Sequence, residues 1–353
     1  MTIYLLLNSE KLGPIVYRLG QLVFILQRGV RFPLGPPPNY LLMKYKISII
    51  VPFYNSEKYL RKNFKTLFKI QKKITNAEII YIDNNSIDNS YKFIKEKIVN
   101  LENIRLFKTL KKKGQGPGIG RNLGVKMSIG EYILFLDADD SLEIKNFKKL
   151  INFLSKNNSN IVYLKKKSDV NSAPFLEYNK KKLIMYFTKS STHEVISILF
   201  KKEFLIKNKI FFLSKIYEDI FYLFKCHFFN NIKISYFSKV IYYKHFNKNS
   251  ITNANPSLFR LKCKFYAWKN IDKFVRKNLN KPLYNKLTHS IQYWWRGHLT
   301  YEFINIQKSS LYKAEKKPLI SWIVKNYRKH IYMKFEIITV KDKLTKFLLE
   351  QKN

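Results

Sequence analysis

Residues 47–70, ISIIVPFYNSEKYLRKNFKTLFKI, decide how the chain is read. The run from Ile47 to Pro52 is almost continuously apolar and of strand length, the pattern of a strand covered on both faces. Tyr59, Leu60, Phe64, Leu67 and Phe68 then recur at helical spacing, with Asn55 or Ser56 placed to cap the first turn. A strand followed closely by an amphipathic helix is the opening unit of an α/β architecture.

That unit repeats outward. AEIIYID (77–83) predicts a second strand and SIDNSYKFIKEKI (86–98) a capped helix. NIRLFK (103–108) predicts a third strand, RNLGVKMSIG (121–130) a helix closed by Gly130, and EYILFLD (131–137) a fourth strand. Strict alternation implies an α/β fold whose mostly parallel sheet is flanked by helices. In such sheets ligands sit at the carboxyl ends of the strands, here just after residues 52, 83 and 137.

Length and composition agree. The chain has 353 residues, 46% of them hydrophobic and 16% aromatic, enough to bury one large or two modest cores and to exclude a disordered class. Formal net charge is +42, which draws the chain to phosphate-rich partners such as nucleic acid, anionic lipid or a nucleotide. Part of this charge belongs to a general Lys, Ile and Asn bias. The basic residues are spread along the chain and form no single stripe, which argues against a nucleic-acid interface. Cys226 and Cys263 form no framework and no C-x-x-C pair, consistent with a reducing, cytoplasmic setting. There is no run of 18 apolar residues, Arg18 interrupts IVYRLGQLVFIL, and the start MTIYLLLNSEK lacks the basic stretch of a signal peptide.

Composition also divides the chain. Residues 1–42 hold a single lysine and the cluster PLGPPP (33–38), and read as an N-terminal extension outside the core, with Met43 a candidate original start. The alternative is an amphipathic helix docked on the core. Residues 43–252 read as the main domain and 253–353 as a basic helical C-terminal region, in which residues 256–353 carry 22 Lys and Arg against 6 Asp and Glu. Its basic faces are either solvated or adhere to an anionic membrane surface.

The glycines of KKGQGPGIGRNLG (112–124) fit neither a dinucleotide nor a P-loop fingerprint, leaving a mobile loop that opens a helix. Arg121 near its start either grips a diphosphate or is ion-paired. In FLDADDS (135–141) an extended backbone would aim Asp137 and Asp139 to one side. Two converging carboxylates repel unless a cation joins them, and oxygen-only ligands suit Mg²⁺ or Mn²⁺ carrying a phosphate. A simple turn is the rival reading. Asp140 heads DSLE, a D-x-x-E capping pattern, so Asp140 or Ser141 is expected to cap the next helix.

IIVPFYN (49–55), IDNNSIDNS (82–90) and GRNLG through GEYILFLDADD (120–140) together resemble the family 2 glycosyltransferases of the GT-A fold. The likeness covers about residues 43–252. It implies that Pro52, Tyr54, Asp83 and Asn84 hold the nucleoside of a sugar nucleotide, and that Asp137 and Asp139 form the D-x-D element for ribose and a divalent metal (Mg or Mn). YEDIFYLFK (217–225) resembles the E-D motif, which implies a catalytic base at Asp219 in preference to Glu218. His245, in YYKHFNKNSIT, is either a further metal ligand or a packed ring. Asn84 departs from the paired aspartates of many relatives; UDP stays the expected nucleotide, with cytosine in place of uracil an alternative. The implied reaction is inverting transfer of a hexosyl or N-acetylhexosaminyl group from a UDP-sugar to a hydroxyl of a glycan or lipid-linked acceptor in cell-surface polysaccharide synthesis. The implied location is cytoplasmic, peripheral on the inner face of the membrane. A nucleotidyltransferase, or a non-catalytic nucleic-acid-binding protein, is the alternative.

Overall fold

The computed structural model describes residues 15–19, 22–26, 45–109, 116–167, 194–229, 231–245, 247 and 255–330. Ile15–Leu19 (β1) and Leu22–Leu26 (β2) pair antiparallel as a two-stranded sheet of their own. This part of the N-terminal segment is therefore extended, not the docked helix of the alternative reading. The rest of residues 1–42 and most of the glycine loop lie outside the described residues.

The main sheet opens with the predicted strands Ile47–Phe53 (β3), Ala77–Asp83 (β4), Ile104–Lys108 (β5) and Tyr132–Phe135 (β6). All are parallel, in the order β5-β4-β3-β6. The next neighbour, Ile198–Lys201 (β9), runs antiparallel to β6. Ile161–Lys166 (β8), Ile234–Tyr243 (β10) and the short Ser141–Leu142 (β7) complete eight strands. The sequence order reverses beside β3, so a crevice opens between the carboxyl ends of β3 and β6, the usual ligand position in such sheets. Pro52 lies two residues beyond the last β3–β6 pair, Ile50 with Phe135, where its missing N–H leaves no gap in that ladder.

Each face is covered as apolar periodicity requires. Glu57–Lys73 (α1), Ser90–Lys97 (α2) and Ile144–Lys156 (α4) lie over one face, with Leu60, Leu67, Phe147, Leu150 and Leu154 meeting Ile49, Val51 and Tyr81. Gly118–Met127 (α3), Lys202–Lys207 (α5) and Glu218–Phe228 (α6) cover the other, around Ile50, Ile80, Phe135 and Tyr222. Helix α3 sits unusually close to β3. A Cβ at Gly124 would come within 2.3 Å of Ile50 Cγ2, so the sequence spends a glycine on helix–strand contact. The helix ends at Met127, three residues before Gly130. That glycine does not cap it; it clears Ser48, whose Oγ would be 2.5 Å from a Cβ there.

Of the C-terminal region, the described residues form three helices, Leu258–Asn278 (α7), Lys281–Lys308 (α8) and Lys313–His330 (α9). These helices share a core with α6, in which Ile220 and Phe224 meet Trp268, Ile271, Trp295 and Phe303. None of the described helices is long and apolar enough to cross a membrane.

Candidate active site

The loops after β3 and β4 are stitched into one wall of the crevice. Asn55 N–H donates to Ser86 Oγ, Ile87 N–H to Asn55 Oδ1, and Ser56 N–H to Ser90 Oγ, at 3.0, 2.9 and 2.8 Å. Neither Asn55 nor Ser56 caps α1 through its side chain: Asn55 Oδ1 serves this wall, and Ser56 Oγ donates to the Tyr54 carbonyl. Asp83, fully buried, accepts Ser86 N–H on Oδ1 at 2.8 Å. Its Oδ2 has no hydrogen-bond partner among the described residues; the nearest cation, Lys108 Nζ, stands 3.6 Å away. An unmet carboxylate oxygen in a buried position is a strong acceptor awaiting a donor. Tyr54 stands 55% exposed beside it, whereas Asn84 is drawn towards α3, with its Oδ1 2.7 Å from where a Cβ at Gly120 would lie.

Across the crevice, residues 137–140 form a turn closed by Asp140 N–H donating to the Asp137 carbonyl at 3.0 Å. This turn, not an extended segment, brings the carboxylates of Asp137, Asp139 and Asp140 within 4.8 Å of one another. Asp140 thus joins the acids and caps nothing. Glu143 caps α4 instead, accepting Lys145 N–H. Asp140 is buried and accepts from Tyr242 Oη at 2.6 Å and from the His245 N–H at 2.8 Å. Burial, helped by Asp137 and Asp139, pushes its pKa up to about 7 against the pull of those donors. Asn63, itself fixed by Tyr81 Oη, holds the Asp140 carbonyl. Asp139 accepts Asn247 Nδ2 at 2.7 Å, and Tyr59 Oη donates to Asn247 Oδ1 at 3.0 Å. A cavity of about 90 Å³ between α1 and this turn, walled by Lys58, Tyr59 and Lys62, reaches Asp139 and Asp140. His245 lies at the rim with Nε2 on Ser141 Oγ at 2.8 Å, and burial and the Lys62 ammonium lower its pKa against the pull of Asp139.

Arg121 joins this turn to the start of α6. One terminal nitrogen donates to Asp137 Oδ1 at 2.9 Å, and the other to Glu218 Oε1. Burial works against its charge, and Asp137, Glu218 and Asp219 more than offset that. Arg121 is therefore ion-paired, one of the two readings of the sequence, while its Nε has no hydrogen-bond partner among the described residues. Glu218 is buried, which raises its pKa, and Arg121 opposes the rise. Asp219, half-buried by surface area, has a pKa raised well above the usual carboxylate range, first by desolvation and then by Glu218.

Residues 48–221 match the family model described as Glycosyl transferase family 2. They place the chain in that family. The chain is 34% identical over 183 residues to the poly(ribitol-phosphate) beta-N-acetylglucosaminyltransferase TarP of Staphylococcus aureus (strain N315), a match that covers 49% of this chain and 55% of TarP. It therefore spans about half the length of that relative. A cholesterol galactosyltransferase of Borreliella burgdorferi is 27% identical over 80% of this chain and 83% of its own. Among solved structures, the fragment 1–349 of S. aureus TarS in complex with UDP superposes with TM-score 0.58 at 21% identity, over 81% of each chain. That likeness carries the GT-A fold.

For a family 2 chain the acid turn is a suitable cation site. Arg121 faces the carboxylates of Asp137, Glu218 and Asp219, and the turn adds those of Asp139 and Asp140. The donors at the turn are all oxygen, as Mg²⁺ or Mn²⁺ prefers. His245 stands next to this set without joining the group of three. Reading the sequence missed Tyr242, Asn247, Asn63 and Tyr59, which orient the acids. Their contacts span 18 to 188 residues of sequence, so no local pattern reveals them.

Proposed function

We propose that this chain transfers a sugar, with inversion, from a UDP-sugar to a hydroxyl of a glycan or lipid-linked acceptor in cell-surface polysaccharide synthesis. The observation that carries the reading is the ion-paired bridge Glu218–Arg121–Asp137, which ties the E-D segment to the D-x-D turn at the sheet's switch point. Asp83 Oδ2, lacking a donor, would accept uracil N3–H, and exposed Tyr54 would cover the base. TarS is known with UDP, and TarP is named for N-acetylglucosaminyl transfer, which supports UDP-N-acetylglucosamine as the first donor to test.

In this reading Asp219 takes the proton from the acceptor hydroxyl as that oxygen attacks the anomeric carbon; the bond to the diphosphate oxygen breaks from the opposite side. Burial and the neighbouring Glu218 raise its pKa, which makes the ionised carboxylate a stronger proton acceptor. Glu218, held by Arg121, fixes the first turn of α6 and is not itself free to accept that proton. Asp139 and Asp137 would hold Mg²⁺ or Mn²⁺, which when bound neutralises the leaving diphosphate. Asp140, Tyr242 and Asn63 hold the turn in shape. Exposed Phe259, Tyr266, Tyr301 and Tyr312 among the lysines of the C-terminal helices support a peripheral site on an anionic, inner membrane face.

The test is incubation with a panel of sugar nucleotides, with and without EDTA. Release of UDP that EDTA abolishes is the expected result. Pyrophosphate as product would favour a nucleotidyltransferase, and no release from any donor would overturn the reading.

A further inference from the structure

Tyr217 has φ 63° and ψ 30°, the left-handed region that side chains other than glycine rarely adopt. It is the residue immediately before Glu218 and Asp219, and its backbone turn starts α6 facing Arg121. Nothing local makes that conformation favourable, so the surroundings must impose it. They are visible. Arg260 Nε donates to Tyr217 Oη at 2.8 Å, with the Arg260 guanidinium 5.8 Å from the ring centre. Lys264, one helical turn further along α7, places Nζ 4.6 Å from the same ring. Lys264 is itself fixed by an ion pair to buried Glu302 of α8. Two residues before Tyr217, Lys215 Nζ lies 4.8 Å from the ring of Tyr266, also on α7.

Residues 215–217 are thus clasped by α7, while Gly116 N–H and Asn122 hold the preceding stretch through Ser214 and Phe212. We propose that Arg260 and Lys264 are positioning residues for the E-D segment: the basic C-terminal helices hold Tyr217 left-handed so that Asp219 is aimed at the crevice. The C-terminal region is then part of the catalytic unit, whatever surface it also meets. This rests on the reading of Asp219 as the base.

The test compares Arg260→Gln, Tyr217→Leu, their double variant, Arg260→Lys and Asp219→Asn in the full chain. UDP release from UDP-N-acetylglucosamine and amide exchange at residues 217–220 without substrate are both read. Arg260→Gln and Tyr217→Leu should each lower kcat about 10–100-fold with donor KM within about twofold, because aim is lost and donor contacts are not. The double variant should lose no more than either single, since both act through one contact. Arg260→Lys, which keeps the cation over the ring, should regain part of kcat. Amide exchange at 218–220 should rise in Arg260→Gln while the melting temperature stays within a few degrees.

Additive losses, a KM effect with kcat unchanged, or unaltered exchange at 218–220 would overturn the clasp. Full activity in Asp219→Asn would instead overturn the base reading. In that case the exchange result still decides whether α7 holds the segment.

Discussion

Replacing Arg121 with methionine removes the guanidinium that pairs with Asp137 and Glu218. Arg121 and Glu218 are 5% and 4% exposed, so the glutamate left behind cannot be rehydrated without opening the α3–α6 contact. Breaking one side of a buried pair costs about 3–5 kcal/mol, whereas exchanging both partners for apolar groups is often neutral. Arg121→Met is therefore expected to lose about 3–5 kcal/mol, and Arg121→Met/Glu218→Met to recover most of it. Urea unfolding followed by circular dichroism gives the cycle. The deficit of the single variant should shrink on acidification. Burial raises the pKa of Glu218, so its ionised form is penalised at high pH, and the penalty fades as pH falls through the raised value. A loss below about 1 kcal/mol, or a double variant that loses the sum of the two singles, would refute the reasoning.

Asp219→Asn should raise the melting temperature near neutral pH. The folded pKa of Asp219 lies above the ordinary 3.8, so ionisation destabilises the fold above that range; the gain should disappear as pH falls to about 4. Asp83→Ala should weaken UDP binding about 10–100-fold by calorimetry, the loss of one charge-assisted hydrogen bond worth about 1.5–3 kcal/mol. Gly124→Ala should cost about 1–3 kcal/mol in urea, because its Cβ would fall 2.3 Å from Ile50 Cγ2. Gly297→Ala, exposed in α8, should be stabilising by about 0.5–1 kcal/mol; equal effects at the two glycines would contradict the packing argument.

The strands of the crevice were legible because each is a short apolar run ending in polar residues, from Ile47–Phe53 to Tyr132–Phe135. The acids of the second wall were legible too, but not their geometry. DSLE satisfies the capping pattern, yet the hydrogen bond from Asp140 to Asp137 turns the chain early, and Asp140 goes inward to Tyr242. The ion pair of Arg121 was not legible as such because its partner Glu218 lies 97 residues away. The glycines around it resist motif reading because they serve contact: Gly120 clears Asn84 and Gly118 clears Leu213 and Glu218. Such signals are tertiary, and a single sequence carries no trace of them.

The proposed reaction requires Asp219 as base beside a nucleotide held by Asp83 and the acid turn. Single-turnover UDP release by Asp219→Asn, with UDP affinity measured in parallel, addresses that most directly. UDP affinity should be unchanged and the rate lower by about 10²–10⁴-fold, the usual contribution of a positioned base. Transfer at the wild-type rate would contradict that role.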